Sequence, residues 1–174
     1  MKMEKERTLV LIKPDAVKRN IIGEVIKRIE DTDLKIVAMK MTKASEELAA
    51  QHYPDSMIKA LGEKGIENGY EAADPVEQGK KIIQWLREYI TSGPVVAMVL
   101  QGENAVKKMR QISGYTDPCK AEPGTIRGDL SNDSIVVANK EGRTVHNIVH
   151  ASESIEEAER EIALWFKPEE IYDR

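Results

Sequence analysis

The chain has 174 residues, 41% apolar and 32% charged, which suffices for a real core and reads as one water-soluble globular domain over 1–174. A formal charge of −4 gives no overall field that would favour nucleic acid or an acidic membrane, so any anion site has to be built from local cations. Cys119 is the only cysteine, which excludes an intrachain disulfide, and no apolar run approaches the ~18 residues of a membrane span; a reducing, cytoplasmic setting is expected.

Thr8 to Ile12 reads as a buried strand, stopped by Pro14-Asp15. Ile22, Val25, Ile26 and Ile29 recur at helical spacing and predict an amphipathic helix over about residues 20–30, followed by a strand from Leu34 to Met41. Ser45 opens a short helix that runs to Tyr53. Residues 62–79 hold four glycines (62, 65, 69 and 79) among Glu63, Glu67, Glu71, Asp74 and Glu77, and read as an irregular acidic surface insertion. Order returns with Ile82, Trp85, Leu86 and Tyr89 at helical spacing. Ser92-Gly93-Pro94 then turns the chain into a strand from Val95 to Leu100, and Ala105, Val106, Met109 and Ile112 form another helical stripe. Residues 113–134 read as loop. An apolar run, Ile135 to Ala138, and a polar turn at Asn139 to Gly142 precede a strand at Asn147–His150. Ser154 with Glu157 is a capping-box pattern for a last helix through Trp165. The order β-α-β, helices, β-α-β predicts an α+β fold, a ferredoxin-like βαββαβ antiparallel sheet with helices on one face.

Neither GxxxxGK[ST] nor GxGxxG occurs, which argues against a Walker-type nucleotide site. Three scattered histidines and one cysteine lack metal-ligand spacing. His150 stands where an apolar strand meets a helix start, near free N–H groups that attract anions. A neutral imidazole there is a competent nucleophile, although a lone histidine before a helix is more often an ordinary surface residue. Lys13 ends the first strand, Arg110 borders the stripe of its helix, and Arg127 lies in a loop flanked by glycines; each, taken singly, is a solvated charge as readily as a phosphate ligand. Glu161 projects about 40° off Trp165 on the last helix. It is either a partly exposed glutamate or a carboxylate that bonds one ring nitrogen of a histidine near the helix start and fixes its tautomer.

Five segments together resemble the nucleoside diphosphate kinase family: Lys13-Pro14-Asp15-Ala16-Val17, Ser92-Gly93-Pro94-Val95-Val96-Ala97-Met98, Pro123-Gly124-Thr125-Ile126-Arg127-Gly128-Asp129, Asn147-Ile148-Val149-His150-Ala151-Ser152 and Glu159 to Phe166. The resemblance spans about residues 6–172, with two inserted stretches at about 62–79 and 131–146. It implies transfer of the γ-phosphate of a nucleoside triphosphate to a nucleoside diphosphate, by a ping-pong route through a pros-phosphohistidine at His150. Lys13 then matches the lysine near the ribose and the transferred phosphoryl group, and Tyr53 the tyrosine beside the active centre. Arg110 and Thr116 match the β-phosphate ligands, Arg127 the arginine that reaches the terminal phosphate, and Asn147 the ribose-bonding asparagine. Ser152 and Glu161 match the pair that supports the histidine.

The resemblance also implies Mg²⁺ carried on the nucleotide, with no protein residue named as its ligand, and a homo-oligomer, by preference a hexamer. Four positions depart from the family pattern. Ala151-Ser152-Glu153 replaces the usual Gly-Ser-Asp. Leu61 falls near the position where a phenylalanine commonly stacks on the base. His146 stands where an arginine commonly precedes Asn-Ile-Val-His. The competing readings are a nucleotide-binding regulatory protein of the same fold that has lost turnover and, more remotely, a nucleic-acid-binding sheet. The strands lack the exposed aromatics the latter would need.

Overall fold

Leu9–Ile12 and Val95–Leu100 are apolar or small at consecutive positions. Side chains of a strand alternate between its faces, so both segments present apolar surface on two sides and need a layer over each. The computed structural model describes residues 5–69 and 74–174. Its elements in chain order are β1 (Glu6–Ile12), α1 (Pro14–Lys18), α2 (Ile22–Glu30), β2 (Lys35–Thr42), α3 (Glu46–His52), α4 (Ile58–Glu67), α5 (Pro75–Thr91), β3 (Val95–Gly102), α6 (Ala105–Ser113), α7 (Ile126–Leu130), α8 (Ile135–Lys140), β4 (Val149–Ala151) and α9 (Ile155–Trp165). The sheet order is β2-β3-β1-β4 and every pairing is antiparallel. This is the expected ferredoxin-like sheet, with β1 and β3 at its centre.

Helices cover both faces of the sheet rather than one. Val10, Ile12, Val96, Met98 and Leu100 pack under α2 and α6 through Val25, Ile29, Ala105 and Met109. Leu9, Leu11, Val95, Ala97 and Val99 pack on the opposite side with Ala49 of α3, Ile83 and Ile90 of α5, and Trp165 of α9. The crossover helices α2 and α6 make the expected layer, and the second layer comes from the helices between β2 and β3 and from the C-terminal helix.

Segment 62–79 is also more ordered than its composition suggests. Gly62 and Gly65 lie within α4, Gly79 lies within α5, and all three are buried. A Cβ on Gly62 would strike the Pro75 carbonyl, and one on Gly79 would strike the Ile58 carbonyl. These glycines let two helix backbones approach closely rather than loosening the chain. Residues 70–73 of that segment lie outside the described residues. Likewise, 113–134 contains α7, capped by Thr125, whose hydroxyl accepts from Gly128 N. Residues 131–146 contain α8, capped by Ser134, with Arg143 paired to Asp133 at 2.7 Å. Ser154 caps α9 through Glu157 N, but the Glu157 carboxylate pairs with Arg160, so only half of the predicted capping box forms.

Candidate active site

Strand β4 pairs with β1 so that Leu11 faces His150, while Val10 and Ile12 face Ala151 and Val149. Val149 and Ala151 point into the layer under α2 and α6. Alternation sends His150 to the other face, where α3 and α9 lie. There His150 Nε2 meets Glu161 Oε2 at 2.7 Å. Glu161 is 3% exposed, so the buried-edge reading of this residue holds against the exposed one. Burial alone would raise its carboxyl pKa, but the His150 imidazole outweighs that and holds the group well below the usual carboxylate range. A carboxylate acceptor places the proton on Nε2. Among the described residues Nδ1 has no hydrogen-bond partner, and His150 lines the cleft.

His52 is the residue that the sequence reading missed. Its ring sits edge-on to His150, with centroids 4.6 Å apart, and its Nδ1 accepts from Trp165 Nε1 at 3.1 Å. The remaining nitrogen faces Glu161 Oε2 at 3.5 Å without a hydrogen bond. Burial, and then the neighbouring His150, lower His52 to about 3, so it is a neutral imidazole at physiological pH. The available signal was its spacing three residues after Ala49 on the inward face of α3. Ligand-type atoms of His52, His150 and Glu161 all lie within 4.8 Å of one another. That nitrogen-rich set does not suit Mg²⁺, which takes oxygen ligands.

Ser152 is buried, and its hydroxyl accepts from Leu9 N at 3.2 Å and reaches Leu9 O at 3.4 Å. It fastens β4 to β1, and among the described residues it makes no hydrogen bond to the imidazole. Tyr53 is buried with its ring 6.5 Å from that of His150, and burial, then the Glu161 charge, push its phenol up.

The cations converge on the same cleft, which has a volume of about 780 Å³ and is lined by Lys13, Arg110, Thr116, Arg127, Asn147 and His150 among others. Lys13 Nζ donates to Asn147 Oδ1 at 2.7 Å, and Asn147 Nδ2 donates to the Thr116 carbonyl at 2.9 Å. Burial pulls Lys13 down to about 7, the Arg127 charge adds to the fall, and Asp15 opposes it. Arg127 donates to three backbone carbonyls, those of Asn147 (3.1 Å), Gly114 (3.0 Å) and Val149 (2.6 Å). Burial, then Arg110, lower it to about 10. Arg110 and Thr116 are exposed at the cleft. Leu61 of α4 also lines it, with Met57 beside it and Ile135 and Val145 from the 131–146 segment.

Ile148 separates Asn147 from the strand and holds a φ of +73°. A β-branched residue in the left-handed region is strained by about 1–3 kcal/mol, so the surrounding structure must hold it there. Its carbonyl accepts from Lys13 N at 2.7 Å.

An imidazole with one nitrogen engaged by a carboxylate, in a cleft that Lys13, Arg110 and Arg127 line, is arranged for nucleophilic phosphoryl transfer. Comparison with known proteins gives the same reading. Residues 6–171 match the family described as nucleoside diphosphate kinase. The nucleoside diphosphate kinase of Pyrobaculum aerophilum is 49% identical over an alignment covering 98% of this chain and 100% of that one. The enzyme of Pyrococcus furiosus is 46% identical, covering 98% and 88%. Among solved structures, an NDP kinase from Pyrobaculum aerophilum superimposes with a TM-score of 0.92 at 46% identity, covering 97% of this chain and all of that one. A transition-state mimic of the Borrelia burgdorferi nucleoside-diphosphate kinase, with bound vanadate and ADP, superimposes with a TM-score of 0.86 at 34% identity, covering 99% and 94%. The chain belongs to the nucleoside diphosphate kinase family.

Proposed function

We propose that this protein moves the γ-phosphoryl group of a nucleoside triphosphate to a nucleoside diphosphate through His150. In the first half-reaction Nδ1 attacks the γ-phosphorus. The N–P bond forms, the bond to the β–γ bridging oxygen breaks, and the first diphosphate departs. In the second half-reaction a terminal oxygen of another diphosphate attacks the phosphohistidine and regenerates the free imidazole. One site serves donor and acceptor in turn, which is what a covalent carrier permits.

The observation that carries this reading is the 2.7 Å contact of His150 Nε2 with Glu161, which leaves the Nδ1 lone pair for phosphorus. As the N–P bond forms, positive charge grows on the ring, and the ionised Glu161 stabilises it from the other nitrogen. The loose phosphoryl transition state demands positioning and positive charge more than proton transfer. Lys13, Arg110 and Arg127 supply that charge, with Thr116 beside the β-phosphate, Asn147 and Lys13 toward the ribose, and Tyr53 closing the floor next to His150. Ser152 acts on the histidine through the β1–β4 pairing and through Glu161, whose carboxyl its hydroxyl helps to lower. Leu61, which lines the cleft as Ile135 and Val145 do, gives the base an apolar contact that reads no base edge.

Mg²⁺ belongs to the nucleotide in this scheme. Bound with the nucleotide it would neutralise phosphate charge, with water filling most of its shell. A homo-oligomer, by preference a hexamer, is part of the same proposal. Met39 and Met41 are 55% and 59% exposed on the edge strand β2, a surface suited to burial against another copy.

Incubation with radiolabelled ATP, followed by gel filtration and a chase with an unlabelled diphosphate of another base, tests the reaction. The wild type should retain acid-labile label and hand it all to the diphosphate. Label that resists the chase would mean that the phosphoenzyme is not an intermediate. The His150→Gln variant should take up none, and its labelling would move the nucleophile elsewhere.

A further inference from the structure

The strained Ile148 is held from a direction that the reaction scheme does not use. Its amide donates to Asp15 Oδ2 at 3.2 Å. The other oxygen, Asp15 Oδ1, accepts a hydrogen bond from the Tyr89 hydroxyl, and Asp15 N donates to the same hydroxyl at 3.0 Å. Tyr89 comes from α5, and burial, then the Asp15 carboxylate, push its phenol up, so it stays a neutral donor. Its ring stacks on His146, with centroids 4.8 Å apart and planes 14° apart. His146 is itself pinned, its amide to Asp133 Oδ2 and its carbonyl to Ser131 Oγ, both at 2.8 Å. A chain of contacts thus runs from segment 131–146 through Tyr89 and Asp15 to one backbone amide.

That amide is well placed to matter. Asn147, on one side of Ile148, holds Lys13 through its side chain and Arg127 through its carbonyl. Val149, on the other side, holds Arg127 again, and His150 follows. If φ at 148 relaxed to a negative value, the Asn147–Ile148 peptide would rotate, and the lysine, the arginine and the nucleophile would lose their common frame. Neither Asp15 nor Tyr89 lines the cleft.

We propose that Asp15 and Tyr89, with His146 stacked behind them, are positioning residues for phosphoryl transfer, holding Ile148 in its left-handed conformation so that Lys13, Arg127 and His150 share one geometry. The inference rests on the histidine reading above and assigns His146 a place in it. The two carboxylate oxygens accept from two different donors, a task that an asparagine can do only once, because its amide nitrogen would face a donor.

The test is the single-turnover rate of His150 phosphorylation by ATP, measured beside nucleotide affinity on protein shown to be folded by circular dichroism. Asp15→Asn should slow phosphorylation by about 10–100-fold while affinity moves by less than about threefold, the signature of lost alignment rather than lost binding. Tyr89→Phe keeps the ring and its stack and should slow the step less than Asp15→Asn. Ile148→Gly supplies the rescue arm, since glycine adopts a positive φ without being held. In that background Asp15→Asn should have a smaller effect than in the wild type. Asp15→Asn phosphorylated at the wild-type rate, or equally damaging with glycine at 148, would overturn the inference. If Ile148→Gly fails to fold, the rate and affinity pattern of Asp15→Asn and Tyr89→Phe decides: a loss of affinity in proportion to rate overturns it. A wild type that takes up no phosphate would instead sink the histidine reading itself.

Discussion

Glu161 shows how much one buried charge can carry. It is enclosed by α3, α9 and β4, yet the His150 imidazole keeps it ionised. Replacing it with glutamine keeps an acceptor oxygen for Nε2–H but removes the charge that stabilises a phosphorylated ring. Single-turnover phosphorylation of Glu161→Gln should therefore fall by about 10–100-fold. Because the folded carboxyl titrates below its unfolded value, its contribution to stability is present above the usual carboxylate range and is lost as pH falls through the folded value. The difference in thermal midpoint between wild type and Glu161→Gln should shrink on acidification.

Lys13 is also held below its ordinary value, but by burial that disfavours its charged form. Its folded value of about 7 lies below the ordinary 10.5, so between those values the unfolded chain binds the extra proton, and stability rises with pH across that window. Phosphates placed beside Lys13 should restore its charge. Calorimetry of diphosphate binding at pH 8 in buffers of different ionisation enthalpy should show uptake of close to one proton. Lys13→Arg, charged throughout, should show none. Equal proton uptake in both would contradict the placement of Lys13 at the phosphates. Glu161 was legible in the sequence because helical spacing put it beside Trp165. His52 was not, because its partners Trp165, His150 and Glu161 lie about a hundred residues away along the chain and meet it only through the packing of α3 on α9.

Among the elements, β1, β3, α2, α6 and α9 were readable from periodicity, since each has one strong pattern and a local stop. The two-layer cover was also written in β1 and β3, whose unbroken apolar runs leave no face for water, and a one-faced sheet would have stranded Leu9, Leu11, Ala97 and Val99. The α4–α5 pair was hidden because its glycines look like loop residues until the crossing partner is known. Gly79→Val tests that reading. A side chain there meets the Ile58 backbone, so α4 must move or the pair must open, at a cost of about 1–3 kcal/mol. The thermal midpoint should drop by several degrees, as is usual for that cost in a domain of this size. If Gly79→Val melted with the wild type, the close crossing would be wrong. Leu61 lies on α4, so the same variant should also weaken nucleotide binding.

At the scale of the whole molecule, family membership fixes the chemistry, and the proposed parts meet in one cleft. In the proposed oligomer the exposed methionines of β2 would meet another copy at the sheet edge, far along the sheet order from β4. Sedimentation should give a species of about six times the 19.6 kDa chain. Met39→Glu with Met41→Glu should shift it to smaller species, and a wild type that sediments as a monomer would contradict the oligomer. The cleft itself is formed within one chain, by β1, β4, α9 and the segments that follow α3 and α6. The reaction scheme depends on which ring nitrogen carries the phosphate. Phosphoenzyme trapped with ATP alone, mapped by mass spectrometry and assigned by phosphorus NMR under alkaline denaturing conditions, should show one phosphate on Nδ1 of His150. Phosphate on Nε2, the nitrogen committed to Glu161, or on any other residue, would contradict it.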